Sequence, residues 1–244
     1  MRGDEGPAKA ENPWANLGFN LVVPSLLLIK GEDWLGDFLP AGGPGSSTLV
    51  FLLALAFPLG YGAYDLVRRR KANFLSLLGL VGVLLTGGIG LLRLPPEWVA
   101  VKEAGIPGLL GVATALSAWT RYPLVRVFLY RKEIFATEKI DHLLRERGEE
   151  GSLDRLLRRT TGLLAGSFFL SAVLNFLLAV TIVQSPAGTE AFNRELGQMM
   201  AWSYPVILLP TLLVTVVALW LALRGLRRLT GLPLEELLVE GKKG

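Results

Sequence analysis

Six times along the chain a run of apolar residues is interrupted by a short polar cluster. A helix needs ~20 mostly apolar residues to cross ~30 Å of hydrocarbon. The runs that meet or approach this length are Trp14 to Ile29, Thr48 to Val67, Phe74 to Leu92, Ala104 to Thr120, Thr161 to Val183 and Ala201 to Leu223. The first and fourth are short, and each holds a proline, Pro24 and Pro107. None of the runs alternates polar with apolar residues, and backbone groups in lipid must bond within their own segment, so each is predicted to be helical. The expected fold is all-α: a polytopic membrane helical bundle of six transmembrane helices, forming one integral membrane domain over residues 1–244.

Two connections stand out. Between the third and fourth runs lies "LLRLPPEWVAVKEAGIP", which predicts a hairpin with Arg93 snorkelling outward and Trp98 as an interfacial anchor. Between the fourth and fifth, residues 121–160 carry Val127, Phe128, Ile134, Phe135, Ile140, Leu143 and Leu144 at roughly helical spacing. That pattern predicts an amphipathic helix. It serves either as a solvated tether or as a surface element bound to anionic headgroups through Arg121, Arg126, Arg131 and Lys132. Glu149 to Gly151 should break it, and Ser152 should cap a new helix that runs through Leu156 into the fifth span.

Composition sharpens the picture. Mean hydropathy is +0.45, with 51% hydrophobic and 19% charged residues, more apolar matter than a soluble core requires. There is no cysteine, which excludes disulfides and thiolate metal sites. The start of the chain, "MRGDEGPAKAENPW", lacks a signal-peptide pattern, so the first run is expected to be retained.

The net charge of +4 is distributed between the apolar runs rather than on one soluble face, which argues against nucleic acid as a partner. With both termini inside, the inner segments hold 21 of the 25 Lys and Arg. The outer connections keep Lys30, Arg93, Lys102 and Arg194, so basic residues favour a plasma (inner) membrane protein with both termini and residues 121–160 cytoplasmic.

Reactive chemistry is sparse. No metalloprotease, nucleophile-elbow or phosphate-loop pattern occurs, the single His142 lies in a charged stretch, and Glu235 and Glu236 belong to a polar tail. No enzyme, cofactor or metal is therefore expected. No ionisable residue is expected at mid-depth: Asp65 sits at a span end near Arg68, and Lys102 with Glu103 at the outer end of the fourth span. Glycines such as Gly87, Gly88 and Gly90 are expected to allow close helix packing. Asn20 and Asn175, near the middle of their spans, are expected to bond to each other, and with Tyr61 and Tyr64 they are candidates to line a cavity.

Several stretches carry a resemblance: "YGAYDLVRRRK", "TGGIGLL", "EWVAVKEAGIPGLLG", "YPLVRVFL" and "GSFFLSAVLNFLLA". From about Gly60 to Val180 the chain resembles the intracellular septation protein A family of bacterial inner-membrane proteins, with its looser uncharacterised multipass relatives. The connection after Arg131 and the segment "NPWANLGFNLVVPSLLLIKG" depart from the septation protein and favour the looser relatives. The resemblance implies a non-enzymatic scaffold or interaction protein in envelope maintenance or septation. It implies other membrane proteins as partners, including envelope-synthesis or division machinery, and is compatible with a homo-oligomer. Gly87, Gly88, Lys102, Pro123 and Asn175 are its structural or interaction residues. The competing reading is a transporter of a neutral or lipid-like molecule built from a 3+3 inverted repeat, each half opening on a proline-interrupted helix, Pro24 in one and Pro107 in the other.

Overall fold

Helices lie where the apolar runs predict them, but they do not end where the runs end. The structure, a computed structural model, describes residues 18–35, 38, 44–69, 74–120, 122–128, 130–132 and 134–238; within these, the side chains of residues 19, 20, 44, 65–69, 74–79 and 128 are not described. A π-helical turn, Gly18–Val22, leads into α1 (Val23–Leu35), followed by α2 (Pro44–Arg69), α3 (Phe74–Leu91) and α4 (Glu97–Ala118). Short helices α5 (Leu124–Phe128) and α6 (Thr137–Glu146) precede the long α7 (Glu150–Ile182). Then come α8 (Glu190–Ser203), a second π turn, Tyr204–Leu208, α9 (Leu209–Thr230) and the one-turn α10 (Leu234–Leu237). Among the described residues there is no strand, only an isolated bridge between Phe135 and Leu238.

Among the described residues, four helices are candidate membrane spans by length and composition: Gly45–Tyr64, Glu97–Ala118, Glu150–Ile182 and the continuous Glu190–Thr230. Leu80–Leu91 is a shorter apolar helix. In the most apolar window of Glu190–Thr230 only 11% of the residues are buried by protein, so most of that apolar surface needs lipid to cover it.

Several boundaries differ from expectation. At 33 and 41 residues, the two longest helices extend about 50 and 60 Å, well past ~30 Å of hydrocarbon. The apolar part of a helix marks what lipid covers, and does not mark where the hydrogen-bond ladder stops. The hairpin between α3 and α4 is also smaller than its sequence implies. Helix α3 ends with Arg93 in the left-handed region (φ 51°), and the Leu94 N–H reaches back to the Ile89 carbonyl. Helix α4 begins at once after Pro95-Pro96, with Glu97 in its first turn where the helix dipole favours a carboxylate. Lys102 and Glu103 therefore lie inside a helix rather than in a loop, and that helix stops at Ala118.

The chain divides into two compact units, each discontinuous in sequence: Met1–Glu103 with Asn175–Val206, and Ala104–Leu174 with Ile207–Gly244.

In the first unit, small residues let helices approach closely. A Cβ on Gly31 would stand 2.7 Å from Val50 Cγ1. On Gly197 it would stand 2.9 Å from the Ser25 carbonyl oxygen, a backbone atom that cannot swing away. Gly90 packs against the Phe51 ring, and Gly87 one turn earlier lies 3.2 Å, by the same measure, from Leu55 Cδ1. Gly88 faces open space, which corrects its assignment as a packing residue.

The second unit holds a core of the kind found in water-soluble proteins. Val125, Phe135, Ile140, Leu144, Leu153, Leu157, Leu226 and Leu237 are buried together. The expected amphipathic helix is thus split into α5 and α6; protein covers Phe135, Ile140 and Leu144 of its apolar stripe, while Val127 and Ile134 stay exposed. The break falls at Arg147–Glu149, with Gly148 at positive φ (67°), and Ser152 lies inside α7, where its hydroxyl accepts from Arg155, rather than at the N-cap. The C-terminal segment is not a free polar tail. Leu237 is fully buried, its carbonyl accepts the Ala136 N–H (2.9 Å), and Glu236 pairs with Lys139 (2.6 Å).

Candidate functional site

The first unit encloses a cavity of about 210 Å³. Its walls come from Pro24 and Leu28 on α1, Phe51, Ala54, Leu55 and Pro58 on α2, Gly82, Val83 and Thr86 on α3, and Leu196, Met199 and Met200 on α8. The sequence builds it directly. Glycines bring α3 against α2 at one level and α8 against α1 at another, and flexible methionines line the space left between them. Pro58 has no N–H, so the Ala54 carbonyl four residues back lacks its usual helical donor at the cavity wall.

Into this apolar space project Lys102 and Glu103. The side chains are 12% and 26% exposed, and they form an ion pair. Lys102 Nζ also donates to Thr86 Oγ1 (2.8 Å), whose own hydroxyl donates to the Gly82 carbonyl (3.0 Å). A relay thus runs from the ammonium through a threonine to the backbone of α3. Among the described residues, two of the three ammonium donors have partners, leaving one N–H and carboxylate lone pairs to meet a guest. Lys102 is the sixth residue of α4, about 7.5 Å along the axis from its start. A charge so placed in a helix of spanning length and screened from water requires the partner it has. The pair, expected at the outer end of the fourth span, is intramolecular and lines this cavity.

The other sequence candidates scatter. Tyr61 is half-buried and Tyr64 exposed on α2, and Asn175 is half-buried on α7; none of the three lines the cavity. Asn20 lies in the first π turn and Asp65 on α2, but their side chains, and with them the proposed Asn20–Asn175 bond, lie outside the described residues. Pro123 is buried and starts α5: its carbonyl accepts the Arg126 N–H (2.8 Å), while the next N–H, of Leu124, donates to Ser117 Oγ (3.1 Å).

Sequence reasoning missed Asn193, which is 1% exposed, donates to the Ser47 carbonyl (2.7 Å) and has no partner for its side-chain oxygen among the described residues. It also missed Glu195, which accepts from the N–H groups of Gln184 and Ser185 and from the Ser185 hydroxyl, tying down the turn between α7 and α8. Both lie on the polar segment before the last apolar run. Thr189 at its N-cap, accepting the Phe192 N–H (3.2 Å), is the signal that marks this segment as helix. In comparisons with protein-family models, curated proteins and solved structures, none matches this chain.

Proposed function

We propose that the protein is a multipass membrane protein that takes the polar end of a small neutral or zwitterionic, lipid-like molecule into the cavity of its first unit, as a carrier or lipid-handling protein. The observation that carries this reading is the Lys102–Glu103 pair, shielded from water among apolar walls on a helix of membrane-spanning length. An ionisable pair in such a place is costly to retain and marks a functional site by default. The pair is neutral in sum, which suits a guest without net charge: an anionic group for the spare ammonium N–H, a donor for the carboxylate, and a chain for the apolar walls. In this reading all six apolar runs cross the bilayer, α1 with its π turn and α3 included, both termini are cytoplasmic, and the membrane is the plasma (inner) membrane.

The test uses the full chain in proteoliposomes with a zwitterionic lipid probe carrying a diazirine near its headgroup. Crosslinks should concentrate on peptides that contain Thr86 and Met199 to Met200. Replacing the pair together, Lys102→Met with Glu103→Gln, leaves no unpaired charge and should reduce that labelling about tenfold, the effect of losing a charge-assisted hydrogen bond. Unchanged labelling in the folded double variant would overturn the proposal.

A second reading follows the septation-protein resemblance: a scaffold in envelope maintenance acting through other membrane proteins. The rigid contacts at Gly31, Gly90 and Gly197 favour it, since close backbone packing suits a fixed platform. Proximity crosslinking in native membranes separates the two. Enrichment of division or peptidoglycan-synthesis proteins supports the scaffold, and its absence together with cavity labelling supports the carrier.

A further inference from the structure

The second unit contains a groove of about 290 Å³ that the proposed function does not use, bounded by Tyr122, Pro123, Arg126, Asp154 and Arg158. Buried Pro123 fixes the turn that places Tyr122 and Arg126 on one wall, and α7 supplies Asp154 and, one turn later, Arg158 on the other. Arg126 reaches across to Asp154 (3.0 Å). Arg158 is exposed, lines the groove and has no carboxylate partner among the described residues. Two guanidinium groups and one carboxylate leave the groove with one unbalanced positive charge.

The groove also lies at a definite level along its helices. Helix α4 ends at Ala118, followed by exposed Trp119 and, at the rim, exposed Tyr122, two residues of the type that settles at a bilayer interface. On α7 the apolar run resumes at Thr161, three residues beyond Arg158. The guanidinium groups therefore stand where the charged part of each segment gives way to the apolar part, at headgroup depth.

We propose that this groove binds the phosphodiester of an anionic phospholipid headgroup. Arg158 takes two phosphate oxygens through its fork, Arg126 shares its charge between Asp154 and the phosphate, and the Tyr122 hydroxyl is placed at the rim for a third contact. A residual charge of one matches a phosphodiester monoanion better than a phosphomonoester dianion, and Asp154 sets that preference. The inference rests on the membrane reading but not on the cavity of the first unit.

The experiment measures lipid retention by the purified full chain, using native mass spectrometry from nanodiscs of mixed phosphatidylglycerol and phosphatidylcholine. Arg158→Gln should lower the preference for phosphatidylglycerol about fivefold, as expected for one basic group at an anionic surface. Asp154→Asn should raise it and extend it to phosphatidic acid, because it removes the competing carboxylate. Arg155→Gln, an exposed neighbour on α7 engaged with Ser152, should leave it unchanged. An equal loss in Arg155→Gln would reduce the effect to diffuse surface charge, and no gain in Asp154→Asn would remove the groove from the account; either result overturns the proposal. Glycerophosphoglycerol, the headgroup without its chains, separates lipid from soluble phosphate. If it displaces the lipid at equimolar ratio, the site serves a soluble phosphodiester and the lipid assignment fails. Intact phosphatidylglycerol preference in the Lys102→Met, Glu103→Gln variant shows that this site stands whether or not the cavity reading does.

Discussion

The first unit and the polar end of the second solve the same problem in different solvents. Around the cavity, helices meet through glycines, while polar groups such as Asn193, Ser47, Thr86 and Lys102 turn inward and leucines such as Leu52, Leu53, Leu84 and Leu85 turn outward. In the connection and C-terminal segment the arrangement is inverted: leucine, isoleucine, valine and phenylalanine fill the centre, and Lys132, Lys139, Arg145 and their carboxylate partners lie outside. In lipid, burying a leucine gains nothing over leaving it against acyl chains, so close packing and internal hydrogen bonds hold the helices together. In water the transfer of apolar surface dominates. On the membrane reading, one chain passes from one regime to the other within its own helices. Arg155, Arg158 and Arg159 lie in the first ten residues of α7, and none of its last 22 is charged.

The largest effect should come from the water-type core. Ile140 is fully buried, and Ile140→Ala removes methyl groups from a packed cluster at a cost of about 2–5 kcal/mol. Hydrogen exchange over residues 137–146 and 234–237 should rise together, because α6 and α10 share that cluster. Leu213, 65% exposed on α9, provides the other half of the comparison: Leu213→Ala in a bilayer should change stability by less than about 0.5 kcal/mol. If the two substitutions cost the same, the difference in solvent is not what separates the regions.

Glycine contacts give the next largest effect. Gly90→Leu must displace the Phe51 ring, which is held from another side by Phe192 (ring centroids 6.3 Å apart), and should cost about 1–3 kcal/mol. Gly88→Leu meets open space and should cost less than about 0.5 kcal/mol beyond helix propensity, which itself favours leucine. Thermal unfolding in lipid nanodiscs compares the pair directly, and equal midpoints would refute the packing assigned to α2 and α3.

This pair also shows what the sequence could and could not say. The helices of the last two apolar runs were legible because ~20 apolar residues in lipid admit no other structure. Which glycine packs was not legible. Gly88 and Gly90 are two residues apart, so they point about 200° from each other around the helix, and choosing between them needs the position of Phe51. Gly87 and Gly90 are three apart and share a face, which is the pattern that carries the contact.

That Lys102 lines a cavity was not legible for a different reason. Its hydropathy reads as a span end, whereas Pro95-Pro96 followed by Glu97 is a helix start, and a helix that starts there makes Lys102 part of its second turn. Pro123 precedes α5 and Gly148 follows α6, but the docking of Leu237 depends on a surface more than ninety residues away in sequence, which no local pattern can reveal.

The smallest effect concerns pH and belongs to the water-type region alone. The Tyr130 hydroxyl donates to Asp141 Oδ1 (2.8 Å) while its ring stacks on Phe135. Burial, then the hydrogen bond and the negative charge of Asp141, push its ionisation well above the usual value of 10.0, with Arg126 opposing weakly. Because the folded value is raised, this contribution to stability is complete below the unfolded value and is lost as pH climbs above it, where the unfolded chain releases a proton that the folded chain retains. Stability of the 121–160 region should therefore be flat in this respect up to about pH 10 and should fall beyond it. Tyr130→Phe keeps the ring contact and removes the hydrogen bond. It should cost about 1 kcal/mol at neutral pH, since half-buried Asp141 can turn to water, and should abolish this part of the alkaline decline. Exchange of α6 amides measured at neutral and alkaline pH, corrected for intrinsic rates, checks both halves. An alkaline decline as steep in Tyr130→Phe as in the parent would show that another group governs it, and a decline confined to amides around the Lys102 cavity would place the titration in the wrong region altogether.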